Sequence, residues 1–277
     1  MIRIGLTRFD EHINLTGKPK ASLFEYAGHL PLVELDTAYY AIPKEMTVAN
    51  WLTQVPPSFR FIIKMYGGLT KQNREDKYFS SEEAMAEAYL TALKPLIDSK
   101  QLFCFLCQFP SFFDCTSENV AYLQKLRHLL PNVPLAIEFR SESWYQENVL
   151  NSMRKFMQEN QFSLVIIDEP QVANRSVPFD DFVTNSDFTM FRFHGRNAPG
   201  WQENGANWQQ KRTLYDYNGA EIKQLAASIR QTAKASREVA VIFNNNSGGH
   251  AAGNALMMVK ELGLDYQGLN PKQLDLF

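Results

Sequence analysis

The sequence is poor in the residues that carry the most recognisable special chemistries. Of its 277 residues, three are cysteine and five are histidine. An odd, small set of thiols excludes a disulfide framework. Cys104 and Cys107 have the C-x-x-C spacing of redox and zinc sites. They sit, however, inside Leu102-Phe-Cys-Phe-Leu-Cys-Gln108, a strand pattern in which residues three apart point to opposite faces, so buried structural thiols are expected. Net charge is only −2, so there is no global field of either sign; nucleic acid or an acidic membrane would have to be met by a local patch. No apolar run reaches the roughly 18 residues of a membrane span or has the form of a signal peptide. A soluble, cytoplasmic protein without a membrane partner is expected. Low-complexity tracts and flexible linkers are also missing.

What remains is a chain rich in material for a core, 45% apolar and 13% aromatic. One domain over residues 1–268 with a short projecting tail over 269–277 is the expected organisation. Strand-like runs occur at Arg3–Leu6, Leu32–Leu35, Phe59–Lys64, Leu102–Phe109, Leu135–Phe139, Ser163–Ile167, Phe188–Phe193 and Glu238–Phe243. Helical patterns lie between them, and Ser22 with Glu25, Ser80 with Glu83 and Asn218 with Glu221 have the spacing of capped helix starts. Eight alternating βα units of this size predict an α/β fold, a single closed (β/α)8 TIM-like barrel, over an open doubly wound sheet. Between Asp168 and Asp187 there is no strong helical period, so the sixth helix is expected to be short or missing. Long loops carry Lys71, Arg74 and Lys77 after the third strand and Arg196, Trp201, Trp208, Lys211 and Arg212 after the seventh.

In such a barrel the carboxyl ends of the strands open at the catalytic face. Polar residues crowd those ends: Glu34 and Asp36, Lys64, Gln108, Glu138 and Arg140, Asp168, Arg192 and His194, then Asn244 and Asn245. Stability alone favours Leu and Val there, because an unpaired buried charge costs several kcal/mol. A ligand-binding or catalytic rim follows. Lys64, Arg140, Arg192, Arg196 and the turn Asn244 to Gly249, with Gly248 and Gly249 freeing backbone N–H groups, suit a phosphate or carboxylate, and Tyr40, Gln108 and Trp144 join them as candidate binding residues. Glu34, Asp36, Lys64, Glu138, Asp168 and His194 are candidate catalytic groups, acting as acid, base or ligands of a divalent metal. The cofactor stays open, since only His194 among the histidines ends a strand. A two-carboxylate glycosidase needs fewer cations than these.

Val33-Glu34-Leu35-Asp36 with Tyr39-Tyr40, Phe59-Arg-Phe-Ile-Ile-Lys64, Gln108-Phe-Pro110, Glu138-Phe-Arg140 with Trp144, Arg192-Phe-His-Gly195, Tyr215-Asp-Tyr217 and Phe243-Asn-Asn245 with Asn254-Ala255 resemble the domain of unknown function 72 family over nearly the whole chain. The resemblance implies a TIM-like barrel and no particular reaction. One departure is Thr7-Arg8-Phe9, where the family usually has small residues and a Trp.

The last five residues, Gln273-Leu274-Asp275-Leu276-Phe277, resemble the pentapeptide by which many bacterial replication and repair proteins dock on the sliding clamp. Gln273, Leu274, Leu276 and Phe277 match its specified positions, a coincidence on the order of one in 10⁵ from average composition. Packing of this tail back on the barrel is the other reading. Three functions stay open: an enzyme on a phosphate-bearing substrate, extending to DNA if the tail docks; an isomerase or lyase of a small phosphorylated sugar or carboxylate; and a non-catalytic ligand-sensing or clamp-associated module.

Overall fold

β-branched and aromatic runs bounded by Pro, Asn and Gly give nine short strands in the computed structural model, which describes residues 1–72, 78–173, 175–203 and 208–272. They are β1 (Ile2–Thr7), β2 (Leu32–Leu35), β3 (Arg60–Lys64), β4 (Leu102–Gln108), β5 (Leu135–Glu138), β6 (Phe162–Leu164), β7 (Ile166–Asp168), β8 (Phe188–Phe193) and β9 (Glu238–Phe243). All neighbours pair in parallel in the order β6-β5-β4-β3-β2-β1-β9-β8-β7. The two ends of that order are joined through Val165, whose N–H donates to Ile137 O at 2.9 Å. β6 and β7 are therefore halves of the expected sixth strand, one pairing with β5 and the other with β8, and the sheet closes into the expected TIM-like barrel.

Strand alternation sorts the core into two. Leu32, Ile62, Cys104, Leu106, Ala136, Val165, Ile167, Met190, Ala240 and Ile242 fill the barrel interior. Their neighbours Val33, Phe61, Ile63, Phe105, Cys107, Ile137, Phe191, Phe193 and Val241 pack outward under the helices. Each such side chain gains roughly 1.5–3 kcal/mol on burial, so the outer shell stabilises the ring it surrounds. Cys104 and Cys107 fall on opposite faces, both buried and unpaired as thiols.

The helices begin as the sequence chemistry dictates. Ser22 and Asn218 form complete capping boxes with Glu25 and Glu221. For the helix Glu82–Asp98 the cap is Ser81, one residue later than the spacing suggested, accepting from the N–H of Ala84. Between β7 and β8 there is no helix among the described residues. After the last helix (His250–Leu262), the chain runs back along the barrel. Tyr266 accepts from the N–H of Ile4 at 2.9 Å, and Asn270 donates to the carbonyls of Ala27, Phe24 and Gln54. Gln273–Phe277, which carry the clamp-like motif, lie outside the described residues, as do Arg74 and Lys77.

Candidate active site

Because residues two apart on a strand share a face, the interior parity that stacks Leu32, Ala136 and Met190 continues upward to Glu34, Glu138 and Arg192. These three form a buried ion triad across the top of the barrel. Arg192, 1% exposed, donates through Nε and Nη2 to the two oxygens of Glu34 at 2.9 and 2.7 Å, and through Nη1 to Glu138 at 2.6 Å. Such bidentate pairing of fully buried groups satisfies the geometry under which buried charge is tolerated. Arg140 extends the network, donating to Glu169 at 2.7 Å and more distantly to Glu138 at 3.4 Å. Burial works against the charge on Glu138, yet Arg192, His194 and Arg140 override it and hold this carboxyl well below the usual carboxylate range. Glu34 goes the other way: burial raises it, with Arg192 opposing.

His194 lies one step higher on β8's inward face. Its Nδ1 accepts from the side-chain amide of Asn244 at 3.0 Å, which leaves the ring proton on Nε2. Nε2 is buried without a hydrogen bond, with Glu138 Oε1 at 3.6 Å. Burial pushes the imidazole down to about 4 despite Glu138, so it is neutral at physiological pH.

Above this floor opens a cleft of about 1180 Å³ at the carboxyl ends of the strands. Its walls carry Asp36, Tyr40, Lys64, Gln108, Arg140, Arg192, His194, Asn244, Gly248 and Gly249, so most of the expected rim is brought together. Lys64 lies over the Tyr39 ring at 4.7 Å. Gly248 and Gly249 both adopt a φ of 75°, the left-handed turn that lets the chain bend from β9 into the helix His250–Leu262. Glu34 and Glu138 lie beneath the floor rather than on it.

Four expected site residues are placed elsewhere, and each placement has a plain cause. Parity puts Val165 and Ile167 inside the barrel, so Asp168 points outward; it accepts three hydrogen bonds from Arg196 and one from Tyr217 OH at 2.6 Å, beside a separate pocket. Arg196 leaves the mouth with it. Trp144 is 1% exposed, stacks on Phe139 with centroids 4.1 Å apart and donates to Phe113 O, which makes it core. Asn245 is buried, donating to Tyr215 O and Asn254 Oδ1. Lys71, from the third loop, pairs with Glu82 and sits over Tyr122, away from the cleft. Among the described residues no three His, Cys, Asp or Glu side chains converge as metal ligands. Glu34 and Glu138, the natural carboxylates for such a centre, are committed to Arg192.

The chain matches the family described as a protein of unknown function, DUF72, over residues 3–275. It belongs to the DUF72 family. UPF0759 protein YunF of Bacillus subtilis strain 168 is 39% identical over 282 residues, spanning all of both chains. A crystal structure of a DUF72 family protein from Enterococcus faecalis V583 has 56% identity and a TM-score of 0.96, covering 99% of this chain and 100% of that one. Another, from Thermotoga maritima MSB8, has 29% identity and a TM-score of 0.80, covering 95% and 100%.

This DUF72 barrel also places at or beside its mouth residues outside the expected set of site residues. Glu169 follows the inward parity that Asp168 breaks; it is buried beside the cleft, where it pairs with the lining Arg140 and accepts from Val177 N at 2.7 Å, and it borders the separate pocket with Asp168. Counting faces from Val165 would have found it. Arg8, in the first loop where the chain departs from the family pattern, lines the cleft and pairs with Asp10 at 3.2 Å. Asn246 and Ser247, inside the expected turn Asn244 to Gly249, line the cleft as well. Arg212 is held between the rings of Trp201 and Trp208, at 4.8 and 4.3 Å. No local pattern announces that sandwich.

Proposed function

We propose that the cleft is the active site of an enzyme that moves a proton on a small phosphate-bearing substrate, an isomerase or lyase of a phosphorylated sugar or carboxylate. One observation carries this reading. Of the ten buried side-chain polar atoms without a hydrogen-bond partner among the described residues, five belong to cleft residues: Asp36 Oδ1, His194 Nε2, Trp201 Nε1, Arg212 Nε and Asn246 Oδ1. Leaving each such atom unpaired costs roughly 1–3 kcal/mol, a strain expected where a ligand's groups complete the set. The mixture of donors and acceptors suits a molecule carrying an anion and hydroxyl groups. Lys64 and Arg212, which pair with no carboxylate among the described residues, are the anion's natural partners.

In this reading Asp36 takes the proton, and neutral His194 donates a hydrogen bond through Nε2 to the oxygen on which charge develops. The Glu34–Arg192–Glu138 triad holds the floor rigid beneath them, its charges paired within the barrel. A thermal-shift screen of phosphorylated sugars and carboxylates should find compounds that stabilise the protein, with the effect reduced about tenfold in apparent affinity in Arg212→Ala. Asp36→Asn should bind the same compound but not turn it over; turnover unchanged by that substitution would remove the proposed base. A screen in which no phosphorylated compound stabilises the wild-type chain would remove the reading.

The motif Gln273-Leu-Asp-Leu-Phe277 favours a second reading, docking on a bacterial sliding clamp with DNA as the phosphate-bearing substrate. Binding of the intact chain to a clamp, compared with a chain lacking residues 273–277, tests it directly. Equal binding, or none, returns the tail to a packing role.

A further inference from the structure

The opposite end of the barrel carries a second cavity, of about 890 Å³, built from the starts of the strands rather than their ends. In a βα barrel that face ordinarily serves stability, and a stability face pairs its charges. This one does not. Arg60, Lys100 and Arg127 all line the cavity, and none has a carboxylate partner among the described residues. Two carboxylates also line the cavity, each with another partner, Glu238 with Arg3 and Asp187 with Arg237, itself a fourth lining cation, so the lining keeps an excess of positive charge.

The way these cations are held is also informative. Arg127 gives Nη1 to the carbonyls of Leu130 and Val133, at 3.2 and 2.9 Å, which fixes the guanidinium over the Phe162 ring, 4.9 Å from its centroid. Its Nε and Nη2 are shielded from solvent and have no partner. Arg60 is likewise fixed by the carbonyls of Pro57 and Phe59 through Nη1 alone. The floor between them is apolar, an edge-to-face pair of Phe103 and Phe188 with centroids 5.8 Å apart. Two guanidiniums fixed by carbonyls, with Lys100 beside them and an aromatic floor between, form a receptor for one kind of molecule.

We propose that this N-terminal cavity is a second binding site, distinct from the cleft at the mouth, for an organic anion with a flat apolar body, an aryl phosphate or a ligand of that chemistry. The ring lies against Phe103 and Phe188, and the phosphate meets Arg60, Lys100 and Arg127.

The test uses phenyl phosphate as probe, with benzyl alcohol and inorganic phosphate as its apolar and anionic halves, measured by calorimetry on the full chain. Phenyl phosphate should bind more tightly than either half. Lys100→Asn, chosen because Lys100 is exposed and sits at a φ of 60° that Asn tolerates, should weaken it about tenfold, as should Arg127→Met. Arg212→Ala, at the other end of the barrel, should leave it unchanged. No binding to the wild-type chain, or binding lost in Arg212→Ala and kept in Lys100→Asn, would overturn the proposal. Either result leaves the reading of the mouth to its own test.

Discussion

Single residues at the floor of the cleft set how this protein responds to acid. His194 falls from 6.5 to about 4 in the folded chain, first through burial. Unfolding therefore takes up a proton at any pH between those values, and stability that is complete above about 6.5 is lost progressively as pH falls towards 4. Glu138, held below its ordinary range, adds loss at lower pH, while Glu34, raised by burial, works the other way. His12 is also buried, which lowers it, so it adds loss of the same sign as pH falls below its ordinary value. Urea unfolding of His194→Gln should show a shallower decline than wild type from pH 6.5 to 4, the difference reaching at most about 3 kcal/mol. Identical slopes would mean that His194 is not held neutral by burial. Arg192→Met, in contrast, should lower stability at every pH near neutrality by about 3–5 kcal/mol, because it strands Glu34 and Glu138 in the barrel without their cation. A loss under 1 kcal/mol would show that the two carboxylates find water or protons instead.

At the scale of elements, what the sequence reveals depends on whether its signal is periodic. Seven of the eight expected strand regions correspond to single strands, because each is a bounded run with its own alternation; the eighth, Ser163–Ile167, is split at Val165, where the pairing changes from β5 to β8. That change of partner is a property of ring closure and leaves no local trace. Parity explains the site residues in the same way. Glu34, Glu138, Arg192 and His194 each sit an even number of residues from an inward apolar neighbour, whereas Asp168 is one residue past inward Ile167. Its Arg196 and Tyr217 partners arrive from the loop after β8, at a distance no local pattern encodes. Trp144 and Asn245 were drawn to the mouth by their positions just after strand ends, and the packing of Phe113, Phe139 and Tyr215 decides otherwise. The consequence can be measured. Asp168→Asn should cost about 1–3 kcal/mol by weakening the link between β7 and the start of the helix Gly219–Ala235, without changing affinity for a ligand of the cleft. Lost ligand affinity at unchanged stability would return Asp168 to the mouth.

For the whole molecule, a near balance of 28 basic against 30 acidic residues hides cations left unpaired at both ends of the barrel. Lys64 and Arg212 at the mouth and Arg60, Lys100 and Arg127 at the base lack carboxylate partners among the described residues, while the ring between them is closed by parallel pairing and two apolar layers. Stability and recognition therefore draw on different forces. The core is indifferent to ionic strength, and the Arg192 triad is buried deeply enough to be screened little. Anion binding at the mouth is exposed to the screening length, about 10 Å at 0.1 M salt and about 3 Å at 1 M. Raising potassium chloride from about 50 to 500 mM should thus weaken a phosphate-bearing ligand of the cleft several-fold while leaving the urea midpoint of the free chain nearly fixed. Chloride is the right salt for this, since sulfate and phosphate would strengthen burial and compete for the same cations. If affinity and midpoint moved together, the ligand would be reporting on folding rather than on the cleft; affinity indifferent to salt would mean that the cations at the mouth do not hold it.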